Sequence, residues 1–165
     1  MSTKLEDMES RACGAAFRAL TELKRDGVQV VVTCTLRTAD EQAALFAQGR
    51  KCLEEVNALR KKAGMYEIKP YLGKDKKLHS DNDYTVTNCN GIEKSKGGTG
   101  RSIHQLGKAI DVVPDMDESE KSVPGWPAPS DPRWQEIAAA FKKQAFEWGG
   151  DWKDFPDYPH FQYKG

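Results

Sequence analysis

Two short segments that each place a histidine near a carboxylate constrain this chain most. Residues 102–111 read Ser-Ile-His-Gln-Leu-Gly-Lys-Ala-Ile-Asp, and residues 157–160 read Asp-Tyr-Pro-His. The chain has three histidines, and two of them lie in these segments. Imidazole nitrogen and carboxylate oxygen are ligands of catalytic zinc, which takes three ligands from the protein and leaves one position open. A fold that joins the two segments would create such a site.

The candidate ligands are His104, Asp111 and His160. Gly107 lies between the first two, and a glycine allows the chain to bend so that both reach one ion. Apolar β-branched residues around Asp111 predict a strand, and residues 160–163 alternate as a final strand. Each residue alone has a plainer explanation, since a histidine in a strand is more often structural and an aspartate often caps a turn. The metal site is therefore a hypothesis that rests on the three residues together.

Apolar periodicity predicts helices and strands along the remaining chain. Helices are expected at residues 3–26, after Thr38, from about 51 to 63, and from 132 to the Gly149-Gly150 pair; strands are expected at 28–34, at about 110–113 and at 160–163.

Three residues are predicted to cap helices. Ser2 precedes the first helix, and Thr38 with Glu41 has the spacing of a capping box. Asp131 precedes a proline, which is favoured as the first residue of a helix. Arg37 therefore stands at a turn from strand to helix, where site residues are often presented. A plain surface charge is the alternative interpretation of this arginine.

Residues 64–100 show no sustained periodicity and are rich in Gly, Lys, Asn, Asp and Ser. A structureless segment of this length is usually functional or mobile, so we expect an insertion that borders the site, with short strands at about 66–71 and 84–87. Residues 81–83 partly match a calcium loop, but the turn glycine is missing. His79 lies in the same polar segment and is expected to be exposed rather than a ligand.

Composition excludes several classes of protein. Lys+Arg and Asp+Glu are 25 each, so there is no overall basic field for nucleic acid. No apolar run is long enough to span a membrane, and the first residues lack the apolar part of a secretion signal. The four cysteines suit reduced thiols, although Cys52 and Cys89 flank the insertion and are a conceivable pair. We expect a monomer, made in the cytoplasm, with one domain over residues 1–165.

The same segments resemble a known family of zinc peptidases. It includes D-alanyl-D-alanine carboxypeptidases and dipeptidases and the L-alanyl-D-glutamate endolysins of phages. Residues 102–111 fit its signature Ser-x-His-x-x-Gly-x-Ala-x-Asp at every fixed position, and residues 157–160 keep an acid three residues before the last ligand. Residues 35–42 and 148–152 are similar to two further family segments, in family order. The insertion departs from the pattern, and so does Asp157, which is similar to the phage branch, because the carboxypeptidase branch usually has Glu.

The resemblance implies an α+β fold of the Hedgehog/DD-peptidase type, in which a small antiparallel sheet flanked by helices carries the zinc site. It implies that His104, Asp111 and His160 hold Zn²⁺, which lowers the pKa of a bound water. Asp157 would be the general base and acid of the reaction. Arg37 would stabilise the developing oxyanion or hold a carboxylate of the substrate.

Three other residues have roles that the resemblance leaves open. Ser102 would donate a hydrogen bond to substrate or to a ligand, or only shape the turn. Asp151 and Trp152 are expected to contact and orient the metal ligands without binding the metal, or to be structural.

The substrates implied are the stem peptides of bacterial peptidoglycan. We expect an L-alanyl-D-glutamate endopeptidase, a bacteriolytic endolysin of a phage or prophage that reaches the cell wall after release, with no nucleic-acid partner and no membrane insertion. A D-alanyl-D-alanine carboxypeptidase is one alternative, and a cytoplasmic host enzyme that acts on wall precursors is another. A non-catalytic, zinc-stabilised protein that binds the cell wall is the alternative from a different class, and the retention of Asp157 and Arg37 argues against it.

Overall fold

A computed structural model describes residues 1–48, 51–72, 78–80, 101–116 and 123–165. They form two compact units, residues 1–37 with 103–165, and residues 38–102. The expectation of one catalytic domain over the whole chain stays a prediction. Among the described residues, no helix is long and apolar enough to cross a membrane.

The helices and strands follow one another in a mixed order. The helices are α1 (Ser10–Arg25), α2 (Ala39–Ala47), α3 (Leu53–Lys62) and α4 (Pro132–Lys142), and the strands are β1 (Val30–Cys34), β2 (Pro70–Leu72), β3 (Leu78–Ser80), β4 (Ala109–Pro114), β5 (Phe146–Trp148) and β6 (His160–Tyr163). Short 3-10 helices lie at Leu5–Asp7, Ile103–Leu106 and Gly149–Asp151.

A four-stranded antiparallel sheet forms the centre of the first unit, in the order β1-β4-β6-β5. In its register, Asp111 of β4 pairs with His160 of β6 on one side and with Cys34 of β1 on the other. The register of β1 shifts between Val32 and Cys34, so Thr33 is an extra residue. Such a bulge re-aims the side chains that follow it, and here it places Cys34 beside Asp111.

The core of this unit lies where α1 and α4 pack against each other and against the sheet. Small residues line α1, which allows close approach, and aromatic residues fill the space between α4 and the strands. Phe141 of α4 stacks on Phe161 of β6 at 4.5 Å between ring centroids, and Trp148 lies parallel to the same ring at 6.4 Å. The α+β architecture with a small antiparallel sheet is confirmed.

The first helix begins later than predicted. Ser2 does not cap it, because the Glu9 carboxylate accepts hydrogen bonds from the N–H groups of Arg11 and Ala12 and so starts α1 at Ser10. The backbone of Ser2 pairs instead with the segment after β1, accepting from the Thr35 N–H and donating to a neighbouring carbonyl. The prediction of Ser2 as the cap was wrong because a carboxylate closer to the apolar stripe satisfies the same donors.

The last predicted helix is two elements. Asp131 caps α4 as predicted, with its side chain accepting from the Arg133 N–H. The helix ends at Lys142, and Ala145 adopts a left-handed conformation with φ 63°. Residues 146–148 then form β5, with Phe146 and Trp148 buried and the residue between them half-buried. The prediction of helix up to Gly149 was therefore wrong, because an alternating pattern follows the turn at Ala145.

The second unit contains α2 and α3, which pack against each other, and the antiparallel strand pair β2 and β3. Thr38 and Glu41 form the predicted capping box at the start of α2. The side-chain amide of Asn57 both donates to and accepts from the backbone of Ile68. This pair of bonds ties α3 to the segment that leads into β2.

The predictions for the middle of the chain fall partly outside the described residues. The strand expected at 66–71 overlaps β2, and His79 lies in β3. The strand at 84–87 and the calcium-like residues 81–83 lie outside the description. Cysteines 13, 34 and 52 are free thiols, and Cys89 is also outside the described part.

We expect Thr38→Ala to lower the free energy of unfolding by about 1 kcal/mol, because it removes the acceptor for the Glu41 N–H and opens the capping box. Urea unfolding followed by circular dichroism measures this cost. Thr21→Ala is the matched control, since this exposed hydroxyl bonds a carbonyl within α1, and it should change stability by less than about 0.5 kcal/mol. Equal effects of the two substitutions would contradict the capping role.

Candidate active site

Three predicted ligand atoms converge at one point of the first unit. His104 lies in the 3-10 helix before β4, Asp111 in β4, and His160 at the start of β6. The Nε2 atom of His104 lies 3.0 Å from Oδ1 of Asp111 and 3.2 Å from Nδ1 of His160, and these last two atoms are 3.1 Å apart. Ligands bound tetrahedrally at about 2.0–2.1 Å from one ion would be about 3.3 Å apart. The triangle therefore has close to the size that a metal ion needs.

The orientation of His104 leaves its Nε2 atom available to the triangle. Its Nδ1 atom lies 3.0 Å from the carbonyl oxygen of Thr35. Because a carbonyl only accepts, Nδ1 carries the proton and donates it, and histidines that bind metals usually make such a bond with the other nitrogen. The ring is buried, with 1% exposed, so this orientation is fixed by the interior of the unit.

Gly107 makes the bend that brings His104 back towards β4. Its φ is +66°, and its N–H donates to the carbonyl of His104 at 3.1 Å. A Cβ at this position would lie 2.7 Å from the backbone nitrogen of Glu9, so a side chain would displace the start of α1. The bend expected from the glycine in the 102–111 segment is confirmed.

The charges of the triangle favour a cation at its centre. Burial would raise the pKa of Asp111, but hydrogen bonds with His104 and His160 outweigh it and hold that pKa well below its usual range. Burial would likewise lower the pKa of His104, but the hydrogen bond to Asp111, with help from Cys34, raises it to about 9. A buried, ionised carboxylate thus attracts positive charge, which a proton or a metal ion supplies. The residues present fit a divalent metal.

Arg37 reaches the same carboxylate from the end of β1. Its Nη2 atom lies 3.4 Å from Oδ2 of Asp111, and both side chains are mostly buried. The backbone N–H of Arg37 donates to the carbonyl of His104 at 3.3 Å. Oδ1 of Asp111 therefore belongs to the triangle, and Oδ2 faces the guanidinium of Arg37. The guanidinium thus provides a positive charge beside the predicted metal position.

Asp157 lies three residues before His160, and its carbonyl accepts a hydrogen bond from the His160 N–H. The charge of His160 acts on the Asp157 carboxyl group. Burial first, and then the negative charge of Asp111, raise the pKa of Asp157, while the cationic neighbours oppose the shift. The Asp157 N–H donates to the carbonyl of Gly149 at 3.0 Å, and a Cβ on Gly149 would approach the Asp157 carbonyl to 2.5 Å. Glycine at 149 thus lets the 149–151 turn pack closely against the backbone of Asp157.

Cys34 was not predicted to lie in the site. Cys34, His104 and Asp111 each offer a ligand atom, all within 4.8 Å of one another, which makes a second possible ligand set. The Cys34 sulfur, however, is 3.6 Å from Nδ1 of His104, the nitrogen that faces the Thr35 carbonyl. The set with His160 has shorter separations and uses Nε2. The bulge in β1 brought Cys34 inward, and no local signal in the sequence marks that bulge.

The three remaining predicted residues, Trp152, Asp151 and Ser102, differ in their contacts with the site. Trp152 contacts a candidate ligand, with 5.3 Å between its ring centroid and that of His160. Asp151 forms an ion pair with Lys142 at 2.7 Å, with both side chains well exposed. Ser102 directly precedes the His104 turn in the chain and falls in the second unit, so its role stays a prediction.

Comparison with known proteins relates the whole pattern to one group of enzymes. A family model described as D-alanyl-D-alanine carboxypeptidase matches residues 95–163. The peptidoglycan L-alanyl-D-glutamate endopeptidase CwlK of Bacillus subtilis (strain 168) is 30% identical over 142 residues, which are 82% of this chain and 61% of that protein. The chain is thus similar to D-alanyl-D-alanine carboxypeptidases over residues 95–163 and to an L-alanyl-D-glutamate endopeptidase over most of its length.

Two further proteins show how far the likeness to known peptidases extends. The L-alanyl-D-glutamate peptidase of Listeria phage A118 is 39% identical over 76 residues, or 45% of this chain and 26% of that protein. The chain thus spans less than two thirds of either curated relative. The crystal structure of the Serratia marcescens L-Ala D-Glu endopeptidase ChiX has a TM-score of 0.53 and 23% identity, covering 97% of this chain and 83% of that one. This last likeness concerns the fold.

The two possible ligand sets predict different metal contents. We expect the wild type to retain stoichiometric zinc after dialysis and His160→Ala to lose it, because this substitution removes one corner of the triangle. Cys34→Ser should retain it, and so should His79→Ala, the control at the third histidine. Elemental analysis of the purified variants measures this. Loss of zinc from Cys34→Ser with retention in His160→Ala would assign the metal to the other set.

Proposed function

We propose that this chain is a zinc-dependent peptidase that cleaves the stem peptides of peptidoglycan, as an L-alanyl-D-glutamate endopeptidase of a phage or prophage endolysin. The observation that carries the proposal is the convergence of two imidazoles and one carboxylate, with separations of 3.0–3.2 Å, beside a second carboxyl group and an arginine. The relatives named as L-alanyl-D-glutamate peptidases support the choice of bond.

The proposed metal is zinc because of the donor set. Two histidine nitrogens and one carboxylate oxygen, with a fourth position for water or substrate, are the ligands of catalytic zinc. His104, Asp111 and His160 would hold the ion. When bound there, zinc would polarise the scissile carbonyl and lower the pKa of a water molecule towards neutrality.

Asp157 would carry the proton during the reaction. As the water oxygen forms its bond to the carbonyl carbon, the Asp157 carboxylate takes the water proton. As the carbon–nitrogen bond breaks, the same carboxyl group returns that proton to the leaving amine. Burial, and then the negative charge of Asp111, raise the pKa of this carboxyl group, which supports the role because a general base works best when its pKa lies closer to the working pH.

Arg37 would stabilise negative charge on the substrate. Its guanidinium is held by Oδ2 of Asp111 at 3.4 Å and is largely screened from solvent. A fixed cation in a site that excludes water stabilises a developing oxyanion without any reorganisation. The same charge also suits a carboxylate on the stem peptide, such as the α-carboxylate of its D-glutamate.

A D-alanyl-D-alanine carboxypeptidase is the second candidate, and the description of the matching family model favours it. Mass spectrometry of digested peptidoglycan separates the two activities. Release of stem peptides that begin at D-glutamate, with L-alanine left on the glycan, supports cleavage after L-alanine, whereas loss of a single alanine from each stem supports the carboxypeptidase. Peptidoglycan that is bound but left intact by the zinc-loaded protein would support the non-catalytic, wall-binding alternative instead.

We expect Asp157→Asn to lower the rate of product release by about 10²–10⁴-fold, because an amide cannot take the water proton. Zinc content should stay as in the wild type, since Asp157 is not one of the proposed ligands. Asp154→Asn is the matched control, an exposed aspartate in the same loop, and should keep wild-type activity. An Asp157→Asn variant that releases product at the wild-type rate would show that another group is the base.

A further inference from the structure

The His160 imidazole contacts two other rings. Its centroid is 5.1 Å from that of His104, edge-on at 65°, and 5.3 Å from that of Trp152, tilted at 47°. His104 is itself anchored by the Thr35 carbonyl. The χ2 torsion of histidine is broad and nearly two-fold, so a ligand histidine needs neighbours that select the ring position which presents Nδ1.

Trp152 is held in place for such a role. Its indole Nε1–H donates to Oε1 of Glu147 at 2.7 Å, and its backbone N–H donates to the Gly149 carbonyl at 3.1 Å. The ring is half-buried, whereas Trp148 is 2% exposed and belongs to the apolar core. The Trp152 ring is therefore held by its hydrogen bond to Glu147 and by its contact with the His160 ring. Trp148, in contrast, is held by packing in the apolar core.

Glu147 is a rigid acceptor for that indole. Its second oxygen accepts from Nε2 of Gln162 at 3.2 Å and from Nζ of Lys164 at 2.6 Å. The hydrogen bond from Lys164 first, then those from Trp152 and Gln162, lower the pKa of Glu147 to about 2. Gln162 is two residues from His160 in β6, so the two side chains share one face of the strand. The chain of contacts thus runs along the face that carries the ligand.

We propose that Trp152, fixed by Glu147, is a positioning residue that holds the His160 imidazole in its metal-binding orientation and thereby sets the zinc affinity of the site. This inference rests on the proposed zinc site and adds a residue that touches neither metal nor substrate in that account. Groups that orient the ligands of a metal site contribute about 10–100-fold to metal affinity. The turn at Gly149 assists, since its missing Cβ leaves room for the Cβ of His160.

The test measures the zinc affinity of the full chain by competition with a chromogenic chelator. Trp152→Leu should bind zinc about tenfold more weakly or worse. Trp152→Phe, which keeps a ring but loses the N–H, should lie between Trp152→Leu and the wild type. Trp126→Leu is the matched control, because that indole is 67% exposed, and it should bind zinc as the wild type does. Circular dichroism of the zinc-free proteins reports whether each variant folds.

The outcomes separate this inference from the proposed function. A wild type that binds zinc and releases stem peptides, with the same zinc affinity in folded Trp152→Leu and Trp152→Phe, would overturn the positioning role alone. If Trp152→Leu does not fold, the Phe variant decides by the same criterion. A wild type without zinc binding would overturn the proposed function, and the positioning role with it.

Discussion

The buried carboxylate of Asp111 is the group on which the rest of the site depends. One of its oxygens faces His104 and His160, and the other faces Arg37. A buried carboxylate costs folding free energy unless cations and hydrogen-bond donors surround it. Its partners Arg37, His104 and His160 come from three different parts of the fold. The sheet register that sets Asp111 opposite His160 therefore determines whether a metal site exists at all.

Close backbone packing at two glycines positions the segments that carry the other site residues near the Asp111 carboxylate. Gly107 turns the His104 segment against the start of α1, and Gly149 brings its turn against Asp157 and His160. A Cβ at Gly107 would collide with the backbone of Glu9, and one at Gly149 would collide with the backbone carbonyl of Asp157. The ligand triangle thus rests on two glycines as much as on its three polar residues, and the Glu147 and Trp152 pair adds a further support beside His160.

Much of this could be predicted because the informative signals are local. The spacing of His104, Gly107 and Asp111 predicted a bend and a shared position, and the capping pattern at Thr38 predicted the start of α2. The bulge that brings Cys34 inward depends on strand pairing, which spacing along the chain does not encode. Ala145 in a left-handed conformation ended α4 where apolar spacing continued, so β5 and its Glu147 were missed.

X-ray absorption at the zinc edge of the metal-loaded protein reports the ligand atoms themselves. We expect a first shell of nitrogen and oxygen at about 2.0–2.1 Å, with the outer-shell scattering of two imidazoles and no sulfur. A sulfur at about 2.3 Å, or the signature of one imidazole only, would contradict a zinc ion held by His104, Asp111 and His160.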